Sequence, residues 1–224
     1  MAGEDDRRRW GRDLLTALKA SPAQEGTGLC VPVGSPIRAL LRPVASREGE
    51  IRAGDVARLT DWRNRFVTAF LTEFLADYER TEHWLAQTVY PDATRALFMV
   101  DEMDGRTVGY MGLASIDWDS GSFEADSIVR GATAPRGLMG ESLQVMLRWA
   151  KSQLGLTDAW LRVRSDNTAI GFYERIGFAQ IDRAPLRRHA EPGFVRWVED
   201  RTVTGDGLAV IYMQWTDPIT EVGP

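Results

Sequence analysis

Hydrophobic residues recur every three or four positions in several stretches, which is the spacing that places them on one face of a helix. The strongest case is Gly137–Leu154, whose apolar face carries Leu143, Met146, Leu147, Ala150 and Leu154. Weaker patterns predict helices at Asp5–Ala20, within Ile51–Arg65, at Arg80–Val89 and at Asn167–Ile176. The periodicity therefore predicts five helices, and the apolar pattern is clearest at Gly137–Leu154.

Apolar runs between these helices have the length of strands. They lie at Ile37–Val44, Ala96–Met103, Thr107–Asp117, Ser122–Arg130, Trp160–Val163, Phe178–Ile181 and Leu208–Trp215. The turn sequences Asp104-Gly105 and Asp119-Ser120-Gly121 join three of them into an antiparallel meander, and the next strands alternate with helices. This order predicts an α/β fold of the α+β type: a central mixed, mostly antiparallel sheet of about six or seven strands with helices on both faces.

A stretch rich in Gly, Pro and Ser, Pro22–Pro36, predicts a boundary near Ser35. The expected units are residues 1–35, an N-terminal amphipathic helix and linker, residues 36–216, the main domain, and residues 217–224, a tail. The helix has an apolar stripe of Trp10, Leu14 and Leu18 that it cannot bury alone. It is expected either to dock on the main domain or to pair with a second copy in a homodimer.

Composition excludes several classes of protein. With 44% hydrophobic residues the chain is globular rather than disordered, and no apolar run approaches the roughly 18–20 residues of a membrane span. The N-terminus has no apolar segment typical of a secretory signal, so a cytoplasmic protein without membrane partners is expected. The single cysteine, Cys30, and the two histidines predict no disulfide and no metal site.

The charge balance argues against nucleic acid as a partner. The chain has 27 Lys and Arg against 32 Asp and Glu, a formal net charge of −5. Nearly all the positive residues are arginines, and they are scattered among acids rather than grouped. A small-molecule partner is expected instead.

The segment Leu161–Phe178, LRVRSDNTAIGFYERIGF, is the most informative in the chain. A strand leads to an Asp-Asn pair that suits a helix N-cap, and a glycine ends the helix before the next strand. The pattern of Asn, Ala-Ile, Tyr-Glu and Gly-Phe resembles the acetyl-CoA-binding end of the GNAT superfamily of N-acetyltransferases. The resemblance extends more loosely over Ile37–Trp215 and implies the GNAT fold, with acetyl-CoA as cofactor.

This resemblance implies roles for single residues. Tyr173 matches the general acid that protonates the departing thiolate, and Asn167 matches the residue that hydrogen-bonds the pantetheine arm. Phe172 is expected beside them in the cofactor site. From the residues alone, Tyr173 is also compatible with a core aromatic and Asn167 with a helix cap.

A phosphate site is expected where the segment RGATAPRGLMGE opens the long helix. Backbone N–H groups at a helix start bind diphosphate without any particular side chain, and Gly137 and Gly140 allow close approach. Met139 and Glu141 stand where the family has small residues. The expected cofactor contacts from this part of the chain are Ile128, Val129, Arg130, Arg136, Gly137, Leu138, Met139, Gly140 and Glu141.

Acyl transfer to an amine requires a base, because most amines are protonated at neutral pH. The strand Ser122–Arg130 offers Glu124 as the first candidate and Asp126 as the second, with an ordered water or two merely solvated carboxylates as alternatives. The resemblance also implies that the backbone of this strand polarises the thioester carbonyl.

The acceptor site is expected in the front half of the chain. Trp62, Arg63 and Asn64 in LTDWRNRF, and His83 in TEHWL, resemble N-acetyltransferases that modify amines of nucleotide-linked sugars, of the pseudaminic-acid pathway type. Arginine there suits a phosphate-bearing acceptor, although packing or ion-pair roles remain open for all four residues. The segment Arg183–Trp197 is a candidate lid over the acceptor.

Together these features predict an acetyl-CoA-dependent N-acetyltransferase that acts by direct attack in a ternary complex, since Cys30 lies in the linker. The acceptor is expected to be an amino sugar. An amino acid, antibiotic or peptide amine is the alternative acceptor, and an acyl-CoA-binding interaction module without catalysis is the alternative function.

Overall fold

Ten strands form one sheet in the computed structural model, which describes residues 2–20 and 29–218. The strands are β1 (Val31–Val33), β2 (Ala39–Pro43), β3 (Thr72–Glu73), β4 (Ala96–Glu102), β5 (Thr107–Ala114), β6 (Ser122–Arg130), β7 (Asp158–Arg164), β8 (Phe178–Glu191), β9 (Phe194–Glu199) and β10 (Ala209–Trp215). The helices are α1 (Ala2–Ala20), α2 (Ala53–Arg65), α3 (Tyr78–Trp84), α4 (Leu138–Leu154) and α5 (Ile170–Arg175). A π-helical turn, Leu85–Val89, continues α3.

The strand order across the sheet is β1-β2-β4-β5-β6-β7-β10-β8-β9-β3. Neighbouring strands are antiparallel except β6 and β7, which are parallel because α4 crosses between them. The predicted mixed, mostly antiparallel sheet is therefore confirmed. It has more strands than expected because β1, β3 and β9 are too short or too polar to give an apolar run.

Helices cover both faces of the sheet, and β4 shows why. Its alternate residues Phe98 and Val100 enter a core with α1 and α4, whereas Leu97 and Met99 enter a core with α2 and the π-helical turn. All four are fully or almost fully buried. A strand buried on both faces reads as a continuous apolar run, as this one does.

Helix α1 docks on the main domain. Leu15 and Leu18 are buried in the same core as α4, Leu14 packs against it, and Trp10 stays 60% exposed. Ser35, the predicted boundary, lies in the hairpin that joins β1 to β2, so the chain before it takes part in the same sheet. Residues 21–28 of the predicted linker and 219–224 of the predicted tail lie outside the described residues.

The segment between the predicted strands Phe178–Ile181 and Leu208–Trp215 contains a long hairpin. β8 continues to Glu191 and pairs with β9, and β9 pairs with β3 in the connection between α2 and α3. Most residues of this hairpin are exposed, so no continuous apolar run marks it. The candidate lid Arg183–Trp197 lies within this hairpin.

Lys19 gives a pH-dependence prediction. Its side chain is 1% exposed, its Nζ donates to the carbonyls of Val89 (3.0 Å) and Asp92 (2.6 Å), and burial lowers its pKa to about 8. Between pH 8 and 10 the unfolded chain binds more protons at Lys19 than the folded chain, so folding stability rises with pH. Chemical denaturation should show wild type gaining on the order of 2 kcal/mol relative to Lys19→Met over this range.

Buried tyrosines lower folding stability above about pH 10. Wild type and Lys19→Met share these tyrosines, so their effect cancels when the two proteins are compared. Parallel pH profiles for the two proteins would contradict this account of Lys19.

Candidate active site

Strands β6 and β7 separate along their length. Pairing joins Ser122, Phe123 and Glu124 to Asp158, Ala159 and Trp160, and no later residue of β6 pairs with β7. Beyond this point β7 keeps its pairing with β10, and β6 keeps its pairing with β5. The backbone edge of β6 after Glu124 therefore faces an opening in the sheet.

Glu124 fixes the point where the strands separate. Its carboxylate accepts two hydrogen bonds from Arg162 of β7, both at 2.8 Å, and one from Ser115 Oγ at 3.1 Å. Burial raises the pKa of Glu124, although the hydrogen bonds and charge of Arg162 oppose this. The residue is 4% exposed and lines neither of the two spaces described below, so this geometry opposes our first choice of base.

A β-bulge follows on β6. The register against β5 shifts between Tyr110 and Gly112, and Ser127 has a φ of 55°, which is uncommon for a residue with a side chain. The bulge breaks the strict alternation of side chains along β6. As a result, Asp126 and Ser127 line one space and Ile128 lines another.

The first space is a cleft of about 890 Å³ between the N-terminal end of α4 and helix α5, the α4–α5 cleft. It brings together two stretches that the sequence analysis singled out: the turn before α4, and the part of Leu161–Phe178 that contains Phe172 and Tyr173. The predicted cofactor contacts that line it are Ile128, Arg130, Arg136, Gly137, Met139, Gly140, Glu141 and Phe172.

The α4–α5 cleft fits a coenzyme A molecule. Arg38, Arg130, Arg136 and Arg175 line it and supply positive charge for phosphates. Helix α4 starts at Leu138, and its N-cap, Gly137, has a φ of 83° and offers no side-chain cap. The Leu138 N–H donates to the carbonyl of Pro135 at 3.1 Å, and the N–H groups that follow in the first turn are placed to bind an anion. Apolar side chains, Ile128, Met139, Phe172 and Ile176, line the rest and suit a pantetheine arm.

Glu141, a departure from the family pattern, is paired within the chain. Its carboxylate lies 2.8 Å from Arg38 Nη1. This pairing offsets a negative charge that would otherwise oppose a phosphate at the start of α4.

Tyr173 lines the α4–α5 cleft and is 7% exposed. Its ring packs edge-on against Phe172 and Phe178, with centroids 5.3 and 6.0 Å away. Burial raises its pKa, and the nearby charge of Asp126 adds to the effect, so the phenol keeps its proton. Tyr173 therefore packs in the core and also keeps its hydroxyl proton, and its role as general acid stays a prediction.

Three of the predicted cofactor contacts do not line the cleft. Val129 and Leu138 are buried in the two cores. Asn167 Oδ1 accepts a hydrogen bond from the Ala169 N–H at 2.9 Å in the turn before α5, whose N-cap is Ala169 rather than Asn167. The two apolar residues lie inside because neighbouring positions on a strand or helix point in different directions.

The second space is a cavity of about 390 Å³ between β6 and the helices α2 and α3, the α2–α3 cavity. Arg63, Arg80 and Arg95 supply positive charge, Asp126 is its carboxylate, and Phe70, Phe74, Trp84 and Tyr110 are its aromatic lining. Asp126, the second candidate base, is paired with Arg95 at 3.1 Å, and its side chain is 35% exposed.

The other three predicted acceptor residues, Trp62, Asn64 and His83, do not line this cavity. Trp62 is buried, stacks on Tyr110 with centroids 6.2 Å apart, and packs so closely on Gly131 that a Cβ there would lie 1.9 Å from its ring. The amide of Asn64 makes two 2.8 Å hydrogen bonds with the backbone of Ala76. His83 is exposed in a separate surface depression.

Sequence reasoning missed Arg80, Trp84, Arg95 and Tyr110 in the α2–α3 cavity, and Arg38 and Arg175 in the α4–α5 cleft. Arg80 and Trp84 belong to the helical stretch in which His83 was chosen, and the three-to-four-residue spacing Arg80, Thr81, Trp84 was the available signal. The other residues come from distant parts of the chain, so no local pattern marks them.

The described part of the chain has no helix with the length and apolar character needed to cross a membrane. Within residues 2–20 and 29–218, no group of three or more His, Cys, Asp or Glu side chains is arranged to hold a metal ion.

Comparisons with known proteins identify the family and show solved structures with the same fold. The family model "Acetyltransferase (GNAT) domain" matches residues 38–179. Spermidine N-acetyltransferase from Vibrio cholerae, solved with CoA and spermine, is 17% identical with a TM-score of 0.58, and the match covers 73% of this chain and 90% of that one. A probable GNAT-family acetyltransferase from Chromobacterium violaceum is 19% identical over 88% of each chain, with a TM-score of 0.61.

At these identities the solved structures show a shared fold, and a search of curated proteins found no match. The family model spans more than half of the chain and includes β6, α4 and α5. The chain therefore belongs to the GNAT acetyltransferase family and is an acyl-CoA-dependent N-acetyltransferase.

Proposed function

We propose that the chain transfers an acetyl group from acetyl-CoA in the α4–α5 cleft to the primary amine of a small acceptor in the α2–α3 cavity. The single observation that carries this proposal is that adjacent residues of the β6 bulge line the two spaces. Asp126 and Ser127 lie on one and Ile128 on the other. The acceptor is a molecule of the size of an amino sugar or an amino acid, and an amino sugar is the first candidate.

The size and lining of the α2–α3 cavity support this choice. A volume of about 390 Å³ lies at the lower end of small-ligand pockets. Trp84 lines the cavity and offers an apolar face of the kind on which a sugar ring packs. The burial of Trp62 removes the surface on which a nucleotide base was expected to stack, so support for a nucleotide-linked acceptor is lost.

Acetyl-CoA supplies an activated acyl group as a thioester. Asp126 accepts a proton from the acceptor ammonium, directly or through a water, which leaves the amine free to attack. Backbone N–H groups on the unpaired edge of β6 orient the acyl carbonyl. Tyr173 lines the cleft and keeps its proton, so its Oη can donate to the leaving sulfur as the carbon–sulfur bond breaks.

The assay that tests this proposal measures thiol release and acetylated product with acetyl-CoA and a panel of small primary amines. Turnover with at least one amino sugar or amino acid is expected. Tight CoA binding without thiol release on any amine would contradict the proposal and favour the alternative interaction module.

Replacing Tyr173 with Phe tests the proton donor. The change removes one hydroxyl and keeps the packing against Phe172 and Phe178, so CoA affinity should hardly change. We expect kcat to fall by roughly tenfold or more, as for a general acid. Steady-state kinetics with calorimetric CoA binding provides the measurement, and an unchanged kcat would remove Tyr173 from the mechanism.

Substitutions at Asp126 and Glu124 distinguish the catalytic base from a carboxylate that has a structural role. Asp126→Asn should lower kcat by roughly 10²-fold with little change in stability. Glu124→Gln should instead lower the free energy of unfolding by about 1–2 kcal/mol, since the buried side chain loses charge-assisted hydrogen bonds to an arginine that is itself exposed. Kinetics and denaturation of both variants are needed, and the reverse pattern would make Glu124 the base.

Arg136→Gln tests the diphosphate site. Arg136 lies immediately before the N-cap of α4 and lines the cleft. Loss of one exposed charge should raise the KM for acetyl-CoA by about threefold to tenfold with kcat unchanged. Arg58→Gln on α2, outside both spaces, is the control, and equal KM values for the two variants would contradict this assignment.

A further inference from the structure

Arg63 and Arg80 line the α2–α3 cavity, and neither forms an ion pair with a carboxylate in the described part of the chain. Other buried or half-buried arginines do have such partners. Arg42 lies 2.7 Å from Asp55, and Arg164 lies 2.8 Å from Asp166. Arg63 is half-buried, whereas Arg80 is exposed at the surface of the cavity. Charges taken out of water are normally paired, so the unpaired guanidinium of Arg63, with a second cation near it, needs an explanation.

Arg63 is held in place by groups that do not neutralise it. Its Nη2 donates to the carbonyl of Thr72 at 3.0 Å, and its guanidinium carbon lies 3.8 Å from the ring centroid of Phe74 and 4.8 Å from that of Phe70. Burial lowers the pKa of Arg63, and the nearby positive charge of Arg80 adds to the effect. The side chain nevertheless remains a cation, because arginine is not deprotonated in proteins.

Arg80 approaches the same aromatic ring. Its guanidinium carbon also lies 3.8 Å from the ring centroid of Phe74. Two like charges at one ring repel each other, and the π-system offsets only part of that cost. An anion bound within reach of both guanidinium groups would relieve the repulsion and accept hydrogen bonds from their remaining N–H donors.

The charge of the cavity is uneven along its length. At the β6 end, Asp126 is already balanced by Arg95. At the helix end, Arg63 of α2 and Arg80 of α3 have no balancing carboxylate among the lining residues. A ligand that complements this arrangement has an anionic group at the helix end, and the proposed function places its amine at the β6 end.

We propose that the acceptor is a primary amine that also carries an anionic group, a carboxylate or a phosphate, which Arg63 and Arg80 bind while the amine lies at Asp126. This inference rests on the proposed function and narrows its substrate class. Amino acids and amino-sugar phosphates both have this chemistry. A polyamine lacks it and meets net positive charge at the helix end.

The test compares kcat/KM for matched acceptors that differ only in the anionic group: glucosamine 6-phosphate against glucosamine, and an amino acid against its decarboxylated amine, with spermidine as a polycation. We expect the anionic member of at least one pair to be preferred by at least tenfold. The pair that shows the preference distinguishes phosphate from carboxylate. Equal values within both pairs, or a preference for spermidine, would overturn the inference.

Substitutions assign the preference to the two arginines. Arg63→Gln and Arg80→Gln should each reduce the ratio of anionic to neutral kcat/KM by at least fivefold, and Arg80→Lys should retain part of it. Arg58→Gln, on the same helix as Arg63 but outside the cavity, should leave the ratio as in wild type. A ratio that none of the cavity variants changes would contradict the assignment.

Binding to the CoA-saturated protein separates this inference from the proposed function. Calorimetry should show tighter binding of the anionic member in wild type and the loss of that difference in Arg80→Gln. Such binding without turnover of any amine would contradict the proposed function but support the anion site. Acetylation of neutral and anionic amines at equal rates would support the proposed function and contradict the anion site.

Discussion

The separation of β6 from β7 after Glu124 is the constraint on which the site depends. A continuous sheet would satisfy the backbone groups of both strands and leave no opening. Here the parallel pairing stops after three residues, and the bridge between Glu124 and Arg162 holds the strands together at that point. The bridge joins a buried carboxylate on β6 to a partly solvated arginine on β7, through two hydrogen bonds of 2.8 Å.

The bulge at Ser127 determines which side chains of β6 line the spaces at this opening. A residue with a side chain at positive φ is strained, and such strain persists where the surroundings enforce it. The bulge directs neighbouring residues of one strand toward the α4–α5 cleft and the α2–α3 cavity. A donor and an acceptor bound in these spaces would meet at β6 in a defined orientation, which is a large part of the catalysis available for a two-substrate reaction.

Features with local physical causes could be predicted from the sequence. The bounds of α4 and β6 follow from periodicity and from the glycine at the helix start, and the turn before α4, predicted as a phosphate site, lines the α4–α5 cleft. The roles of Trp62 and Glu124 could not be predicted, because they depend on Gly131 and Arg162, which lie far away in sequence. The β8–β9 hairpin was missed because its stability comes from pairing with β10 and β3 rather than from an apolar run of its own.

A crystal structure of the protein with bound acetyl-CoA tests the central claim most directly. The account predicts the diphosphate at the first turn of α4 and the acyl carbonyl within hydrogen-bonding distance of a backbone N–H on β6 between Glu124 and Arg130. An acetyl-CoA bound outside the α4–α5 cleft, or one whose thioester lies away from the bulge, would contradict it.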